Sequence, residues 1–276
     1  MQIALNGATT MKADLETDIR AASEAGFDGL EIWASKLRAF LRSRTNADLN
    51  DLFATHKIKP YSINSIEHIT FRDPDRHESL LAECEELCRI AEEIRCPYIV
   101  VVPSPLPAGT SRSQTIEESS RVLGELGRIA ERHGVGLGFE FLGQPNCSVQ
   151  TVELANEIVR KTGLSNVGLV IDSFHFYAGG STIESIETID AQKLFIVHIN
   201  DAEDLSREVL EDRHRLYPGL GILPLRQIFG ALGRIGYDRV VSVEIFRPEY
   251  WDRDPFEVAR AARAAAQRVL DALPRD

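Results

Sequence analysis

The segment VGLVID, residues 167–172, is a run of apolar and small residues that ends in an aspartate. Continuous apolar runs of this length are typical of strands buried on both faces of a parallel sheet. Similar runs occur on either side of it along the chain, at residues 136–141 (GLGFEF) and 195–200 (FIVHIN). Longer stretches with apolar residues at every third or fourth position, as in amphipathic helices, separate these runs. The pattern therefore predicts alternating strands and helices.

Eight such strands are predicted, which is the number that closes a parallel α/β barrel. Closed barrels of about 250 residues fold as one domain. We therefore expect one (β/α)8 TIM-barrel domain over residues 1–276. An open, doubly wound sheet is the competing architecture, but NGATTMKAD at 6–14 is not the Gly-rich phosphate motif that usually follows its first strand. The predicted strands are QIALN (2–6), GLEIW (29–33), PYSIN (60–64), YIVVVP (98–103), GLGFEF (136–141), VGLVID (167–172), FIVHIN (195–200) and VVSVEIF (240–246).

The clearest predicted helices cover residues 77–94, 114–133, 149–162 and 254–272. Residues that commonly cap helix N-termini precede several helical segments. The predicted caps are Asp14 for the first helix, Ser148 before VQTVELANEIVRK, and Asp252 or Asp254 before PFEVARAARAAAQRVL.

Charge and cysteine usage limit the classes of partner. The formal net charge of −11 repels a polyanion such as DNA unless a local basic patch overrides it, so we expect a small neutral ligand, no nucleic acid and no membrane. Homo-oligomer formation is left open. No signal peptide or membrane span is predicted at the N-terminus. The four cysteines lack zinc-site spacing, which indicates free thiols and a cytoplasmic location.

Ionisable side chains interrupt or end four consecutive apolar strands. Burying such groups is costly unless they are paired or bound to a cation. The carboxyl ends of barrel strands ring one mouth, where these side chains can converge. One histidine and three carboxylates suit one divalent metal ion, with Mn²⁺, Co²⁺, Zn²⁺ and Mg²⁺ all acceptable. Taken singly, each residue is also explained as a helix cap or a hydrogen-bond acceptor. The predicted metal ligands are Glu140, Asp172, His198 and Glu244.

The chain resembles the xylose-isomerase-like barrel superfamily, and within it the inosose isomerases (2-keto-myo-inositol isomerases) of inositol catabolism. The resemblance runs nearly from end to end, and it implies that the four predicted ligands are the family's metal site. It further implies that Glu140 and Glu244 act as base and acid from opposite faces of a small polyhydroxylated ketone, through an enediolate. The resembling segments are NGATT (6–10), HKIKPYSIN (56–64), NVGLVIDSFHFYAGGSTIES (166–185), HINDAED (198–204), YPGLG (217–221) and VVSVEIFRPEYW (240–251).

Other functions are also compatible with these residues. A ketose 3-epimerase or a hydroxypyruvate-type isomerase would use the same metal site, and an inosose dehydratase is a third relative. An abasic-site endonuclease is a remote alternative, because those relatives need a multinuclear zinc cluster with more histidines than the seven found in this chain. The last alternative is a non-catalytic ligand-binding barrel.

Five further residues are predicted to bind the substrate. His175 and Arg215 match positions that contact substrate oxygens in related sugar epimerases, although Arg213 and His214 compete with Arg215 for that role. The remaining three, Asn6, Glu31 and Asn64, end earlier strands and would face the mouth, and Glu31 is equally explained by an ion pair with a neighbour.

Two loop segments have alternative interpretations. The glycines of PGLG (218–221) suit a phosphate-binding loop or, more simply, a tight turn. Four aromatic residues after the sixth and eighth strands would either line the pocket and exclude water or pack on the barrel rim. These residues are Phe176, Tyr177, Tyr250 and Trp251.

Overall fold

All eight predicted strands form in the computed structural model, which describes residues 1–273. The barrel strands are β1 Gln2–Asn6, β2 Gly29–Trp33, β3 Lys59–Ile66, β4 Tyr98–Val101, β5 Gly136–Glu140, β6 Val167–Asp172, β7 Leu194–Ile199 and β10 Val240–Val243. They close into a parallel barrel in the order β1-β10-β7-β6-β5-β4-β3-β2, and this confirms the predicted (β/α)8 fold.

A two-stranded antiparallel ribbon, which was not predicted, follows β7. Its strands are β8, Asp201–Ala202, and β9, Arg215–Leu216. Each strand has only two residues, so neither shows the alternation of apolar and polar residues by which a strand is detected. The ribbon brings Arg215 back to the barrel mouth.

Helices surround the barrel and connect its strands. The four predicted helices correspond to α4, α5, α6 and α11, with ends shifted by up to three residues. The helices are α1 Leu15–Glu24, α2 Ala34–Leu41, α3 Asn46–His56, α4 Pro74–Glu93, α5 Arg112–Arg132, α6 Val152–Thr162, α7 Ser173–Ala178, α8 Ile183–Glu187, α9 Leu225–Arg234, α10 Pro248–Trp251 and α11 Pro255–Asp271. Within residues 1–273, every helix is too short or too polar to span a bilayer.

The helix caps agree only partly with the predictions. Asp14 caps α1 and Asp254 caps α11 through their side chains. The prediction of Ser148 is wrong, because Thr151 caps α6 instead. The Ser148 hydroxyl donates to the backbone oxygen of Ser104, so it connects its loop to the segment that follows β4.

The barrel interior is packed through alternating large and small residues. Val100, Val170 and Ile196 belong to one buried cluster inside the barrel. Gly138 leaves the space that Val170 occupies, because a Cβ at residue 138 would lie 2.7 Å from the Val170 side chain. Close packing of this kind fixes the strands relative to one another and so fixes the side chains at their carboxyl ends.

Candidate metal centre

The carboxyl ends of β5, β6, β7 and β10 bring the four predicted metal ligands together. Glu140 and Asp172 are the last residues of β5 and β6, His198 lies in β7, and Glu244 directly follows β10. One ligand atom from each residue lies within 4.8 Å of those from the other three, and all four side chains are buried. The pattern of ionisable residues at apolar strand ends thus identified a cluster at one point of the mouth.

The imidazole of His198 has carboxylates on both sides. Its Nδ1 lies 2.9 Å from Glu140 Oε1, 3.4 Å from Glu244 Oε2 and 3.9 Å from Asp172 Oδ2. Its Nε2 points the other way, 3.2 and 3.1 Å from Oε1 and Oε2 of Glu31. Because an ionised carboxylate only accepts hydrogen bonds, Nε2 donates to Glu31. Nδ1 is therefore the nitrogen that faces the cluster.

The spacing of these atoms suits a divalent cation. Ligand atoms in a tetrahedral zinc site lie about 2.0–2.2 Å from the ion and hence roughly 3.4 Å from one another. The distances from His198 Nδ1 to the three carboxylates, 2.9 to 3.9 Å, bracket this separation. Three buried carboxylates also repel one another, and a dication between them would offset that repulsion. The residues present therefore fit one divalent metal ion.

The pKa shifts in the cluster also support a site for a divalent cation. Burial raises the pKa of Glu244 to about 8, and the neighbouring Glu140 carboxylate adds to this shift against the attraction of His198. Burial alone would lower the pKa of His198, but Glu244, Glu31 and Glu140 hold that pKa well above its ordinary value. Without a cation, the cluster accordingly retains protons that a metal would replace.

Strands β1, β2 and β3 supply side chains that hold the cluster in place. Asn6 Nδ2 donates to Glu244 Oε1 over 2.9 Å. Asn64 Nδ2 donates to the same oxygen over 3.0 Å and to Glu31 Oε1 over 3.2 Å. Asn6 and Glu31 are fully buried, and neither lines the cavity above the cluster, whereas Asn64 does. Asn6 and Glu31 thus contact candidate metal ligands and do not face the cavity, where substrate binding was predicted. For Glu31, the structure shows the alternative, an ion pair with the neighbouring His198.

Arg215 lies beneath the mouth and is almost fully buried. Its Nη1 lies 2.9 Å from both Asp172 Oδ2 and Glu244 Oε2, and its Nη2 lies 2.7 Å from Asp212 Oδ1. The exposed Arg213 pairs instead with Glu211. Of the competing residues in this segment, Arg215 is therefore the one that reaches the site.

The guanidinium of Arg215 is also fixed by aromatic rings. It lies 4.9 Å from the ring centre of Phe174 and 5.0 Å from that of Phe246. Cation–π contacts of this kind stabilise a buried guanidinium in one orientation. The side chain is consequently held among the carboxylates and has little freedom to move toward a ligand.

His175 is buried and lines the cavity. Its Nε2 lies 3.0 Å from Arg215 Nη2, and because a guanidinium only donates, Nε2 accepts that hydrogen bond. The neutral ring must then carry its hydrogen on Nδ1, which has no hydrogen-bond partner among the described residues. The described residues thus leave one buried hydrogen-bond donor of His175 unsatisfied.

A cavity of about 280 Å³ lies over the cluster, large enough for one six-membered ring with its hydroxyl groups. Trp33 and Phe246 form an aromatic edge of it, with ring centres 5.5 Å apart. The lining residues are Trp33, Asn64, Ser65, Glu67, His68, Val102, Glu140, Leu142, Gln144, His175, Asp212, Arg215, Glu244 and Phe246.

The four aromatic residues proposed for the pocket wall do not line this cavity. Tyr250 stacks on Tyr217 with ring centres 4.2 Å apart, and Trp251 Nε1 donates to the backbone oxygen of Ala8. Tyr177 lies under the guanidinium of Arg207, and Phe176 is buried in the outer core. Packing on the rim is therefore the correct interpretation of these residues.

The PGLG loop is explained as a turn. Asp201 accepts hydrogen bonds from the backbone N–H groups of Gly219 and Leu223 over 3.0 and 2.9 Å. A Cβ at Gly221 would lie 2.0 Å from the backbone oxygen of Ala202, so only glycine fits there. The carboxylate of Asp201 thus occupies donors that a phosphate would need.

Three residues at this site were not predicted from the sequence. Asn200 Nδ2 donates to Asp172 Oδ2 over 2.8 Å, and its position at the end of FIVHIN was a usable signal. Trp33 likewise ends the second predicted strand. Asp212 begins a short 3-10 helix between β8 and β9, and its contact with Arg215 has no local signature in the sequence.

The chain is similar to known barrel proteins in both sequence and structure. The profile of the xylose isomerase-like TIM barrel family matches residues 19–272. The inosose isomerase of Bacillus velezensis is 38% identical over 98% of this chain and 97% of its own length, and that of Bacillus subtilis is 38% identical over 98% of both. The crystal structure of the IOLI protein with a bound zinc atom is 37% identical, covers 100% of both chains and superimposes with a TM-score of 0.96.

Proposed function

The chain belongs to the xylose isomerase-like TIM barrel family, and we propose that it is a divalent-metal-dependent isomerase that interconverts inososes, such as 2-keto-myo-inositol and 1-keto-D-chiro-inositol. Four relatives named inosose isomerase, 35 to 38% identical over 98% of the chain, support this substrate class. The observation that carries the proposal is the buried cluster of three carboxylates and one imidazole directly beneath a cavity of one-ring size.

One divalent ion would be held by Glu140, Asp172, His198 and Glu244. When bound, the ion would polarise the ketone carbonyl and stabilise the negative charge that develops as a neighbouring C–H proton leaves. Zinc is supported by the zinc-bound IOLI structure, while the donor set equally accepts manganese, cobalt or magnesium.

We assign the proton transfer to Glu140 and Glu244. Both carboxylates line the cavity, so a ring bound there lies within reach of each. One would remove the proton next to the carbonyl, and the other would return a proton to the former carbonyl carbon, which completes an isomerisation. Return to the original carbon from the opposite face would give an epimerisation.

His175 would donate a hydrogen bond from Nδ1 to a substrate oxygen. Its Nε2 is occupied by the Arg215 guanidinium, so the neutral ring cannot offer an acceptor to the cavity and is not a base. A neutral donor placed at an oxygen that gains negative charge stabilises the transition state more than the ground state. Arg215 would act indirectly, by orienting His175 and two of the carboxylates.

We place the enzyme in the cytoplasm. All four cysteines are buried free thiols, in agreement with a reducing compartment. The cavity size and its polar lining support a small polyhydroxylated ketone as the partner.

The test is metal analysis followed by NMR of 2-keto-myo-inositol in D2O with the purified protein. We expect one divalent ion per chain, deuterium uptake next to the carbonyl and appearance of the isomeric ketone, all abolished by a chelator. Glu140→Gln and Glu244→Gln should each reduce exchange by at least about a hundredfold, as for loss of a general base. Glu117→Gln, which alters an exposed carboxylate of α5 outside the cavity, is the matched control and should retain activity.

Other outcomes would redirect the assignment. Faster turnover of a free ketose than of any inosose would indicate a 3-epimerase or hydroxypyruvate-type isomerase, and loss of water to an absorbing diketone would indicate a dehydratase. Inosose binding without deuterium uptake would indicate a non-catalytic barrel. Exchange that survives both glutamine substitutions would exclude these glutamates from the proton transfer.

A further inference from the structure

Glu31 is a buried carboxylate with no access to the cavity. Its side chain is fully buried, and its two oxygens contact His198 Nε2 at 3.2 and 3.1 Å. Asn64 supplies a further hydrogen bond to Oε1. A carboxylate this far from solvent must be compensated by a cation or by hydrogen bonds to the charged form. The imidazole of His198 is the cationic or hydrogen-bonding partner that does so.

The direction of this hydrogen bond decides which nitrogen of His198 is free. Nε2 has to carry a hydrogen because both of its neighbours are acceptor oxygens. Deprotonation of the ring for metal binding must then occur at Nδ1, which already faces the three other candidate ligands. A hydrogen bond from the remote nitrogen to a carboxylate also makes the imidazole a stronger donor to a metal.

On these grounds, and resting on the metal centre of the proposed function, we infer that Glu31 is a positioning residue. It fixes His198 as the Nδ1 ligand by accepting the Nε2 hydrogen, and it does not bind the substrate. The contact lies across the barrel, from β2 to β7, so it also sets the angle of the imidazole toward the mouth.

The experiment compares zinc and cobalt affinity of the wild type, Glu31→Gln and Glu31→Ala by competition with a chelator. Removing such a partner weakens metal binding by about 10- to 100-fold. We expect the larger loss for Glu31→Ala and a smaller one for Glu31→Gln, whose amide oxygen can still accept the hydrogen. The visible absorption of the cobalt form should change in Glu31→Ala, because the imidazole is no longer held at one angle. Glu117→Gln, at an exposed carboxylate of α5, is the control and should bind both metals as the wild type does.

A second measurement separates positioning from a structural effect. Nitrogen NMR of the zinc-loaded wild type should show the His198 hydrogen on Nε2, and Glu31→Gln should reveal partial loss of that preference. Metal affinities within about twofold of the wild type in both variants, with KM for inosose raised instead, would overturn the inference and return Glu31 to substrate binding. Should Glu31→Ala not fold, unchanged affinity and unchanged nitrogen signals in Glu31→Gln would overturn it equally.

These results are independent of the substrate assignment. Weakened metal binding in the Glu31 variants would support the role of Glu31 even if the wild type failed to exchange deuterium into inosose. Conversely, chelator-sensitive exchange by the wild type together with unchanged metal affinity of the variants would leave the proposed function intact and reject only this inference.

Discussion

A residue near the carboxyl end of a barrel strand is expected to place its side chain at the mouth, but its position in the strand does not predict which neighbour the side chain contacts. Glu140 is the last residue of β5 and lines the cavity, whereas Glu31 lies before the end of β2 and contacts His198 beneath the cavity. Glu31 reaches His198 across the barrel, from β2 to β7, although the two residues are 167 positions apart in the chain. Residue type and strand position could therefore predict the cluster, whereas the division into ligands and supporting residues required the structure.

Metal uptake should release protons. The pKa of Glu244 is raised to about 8 by burial and by Glu140, and that of His198 is raised well above its ordinary value by three carboxylates against the effect of burial. Both groups are therefore protonated at pH 7 without metal and must lose those protons to become ligands. We expect release of about one to two protons per zinc ion at pH 7, measured by calorimetric titration in buffers of different ionisation enthalpy.

Protons and the metal ion compete for the same ligand atoms, and this competition determines how zinc affinity changes with pH. Zinc affinity should increase as pH rises from 6 to 8, because fewer protons have to be displaced. Glu140→Gln, which removes a ligand and part of the field that raises the pKa of His198, should release fewer protons. A titration heat that is the same in all buffers would contradict these protonation states.

At the scale of elements, regular strands and helices could be predicted from periodicity, but irregular segments could not. The ends of α6 illustrate the limit, since Ser148 and Thr151 are both suitable caps and the sequence does not distinguish them. A tertiary contact determines which residue caps α6, because the Ser148 hydroxyl donates its hydrogen bond to the backbone oxygen of Ser104. The β8–β9 ribbon was missed for a related reason, as hydrogen bonds of Asp201 to the PGLG loop define it more than any residue pattern does.

The turn that supports this ribbon provides a test of how Arg215 is positioned. A Cβ at Gly221 would lie 2.0 Å from Ala202 O and 2.6 Å from Asp201 Oδ1, so the turn and the ribbon must move. Overpacking of this kind costs about 1–3 kcal/mol. We expect Gly221→Ala to lose stability by that amount and to reduce kcat about tenfold or more, as displacement of a positioned group does, measured by thermal unfolding and by inosose turnover.

Gly233→Ala is the matched control. It lies in α9 with no atom within 4 Å of its added Cβ, and alanine suits a helix better than glycine by roughly 0.5–1 kcal/mol. This variant should be as stable as the wild type or more so, with unchanged kcat. Equal behaviour of the two variants would show that the ribbon does not depend on Gly221.

A second test at this scale concerns the contact between α4 and the end of α5. His133 lies between two carboxylates of α4, with Nδ1 2.7 Å from Glu92 and Nε2 2.9 Å from Glu85. Hydrogen bonds to Glu92 and Glu85 raise the pKa of His133 above 6.5 in the folded state. The stabilisation by the imidazolium is thus fully present below the unfolded pKa and is lost as pH rises through the folded pKa.

His133→Gln should accordingly lower Tm at pH 6 and have a progressively smaller effect toward pH 9, as followed by thermal unfolding across this range. His56→Gln is the control, because the imidazole of His56 forms no ion pair in the part of the chain that the structure describes. A Tm difference that is constant with pH would mean that the His133 ring contributes packing rather than charge.

For the whole molecule, closure of the barrel could be predicted from the number of strands alone, and closure in turn explains why residues so far apart in sequence meet. The strands β5, β6, β7 and β10 are consecutive neighbours in the sheet, so a side chain from each reaches one point. What the strand count could not predict is which side chains of β1, β2 and β3 contact the residues at that point.

This arrangement predicts that a metal ion stabilises the entire barrel. An ion that binds only the folded chain adds about 2.7 kcal/mol at a free concentration 100 times its Kd. For a chain of this size, a gain of 1 kcal/mol raises Tm by about 2–4 °C, so zinc should raise Tm by about 5–10 °C and a chelator should reverse the change. In Asp172→Asn, which removes one ligand, the zinc-dependent rise should largely disappear, whereas in Asp51→Asn, which alters an exposed carboxylate of α3, it should persist. A rise of the same size in the Asp172 variant would place the stabilising ion elsewhere on the molecule and separate the barrel's stability from this centre.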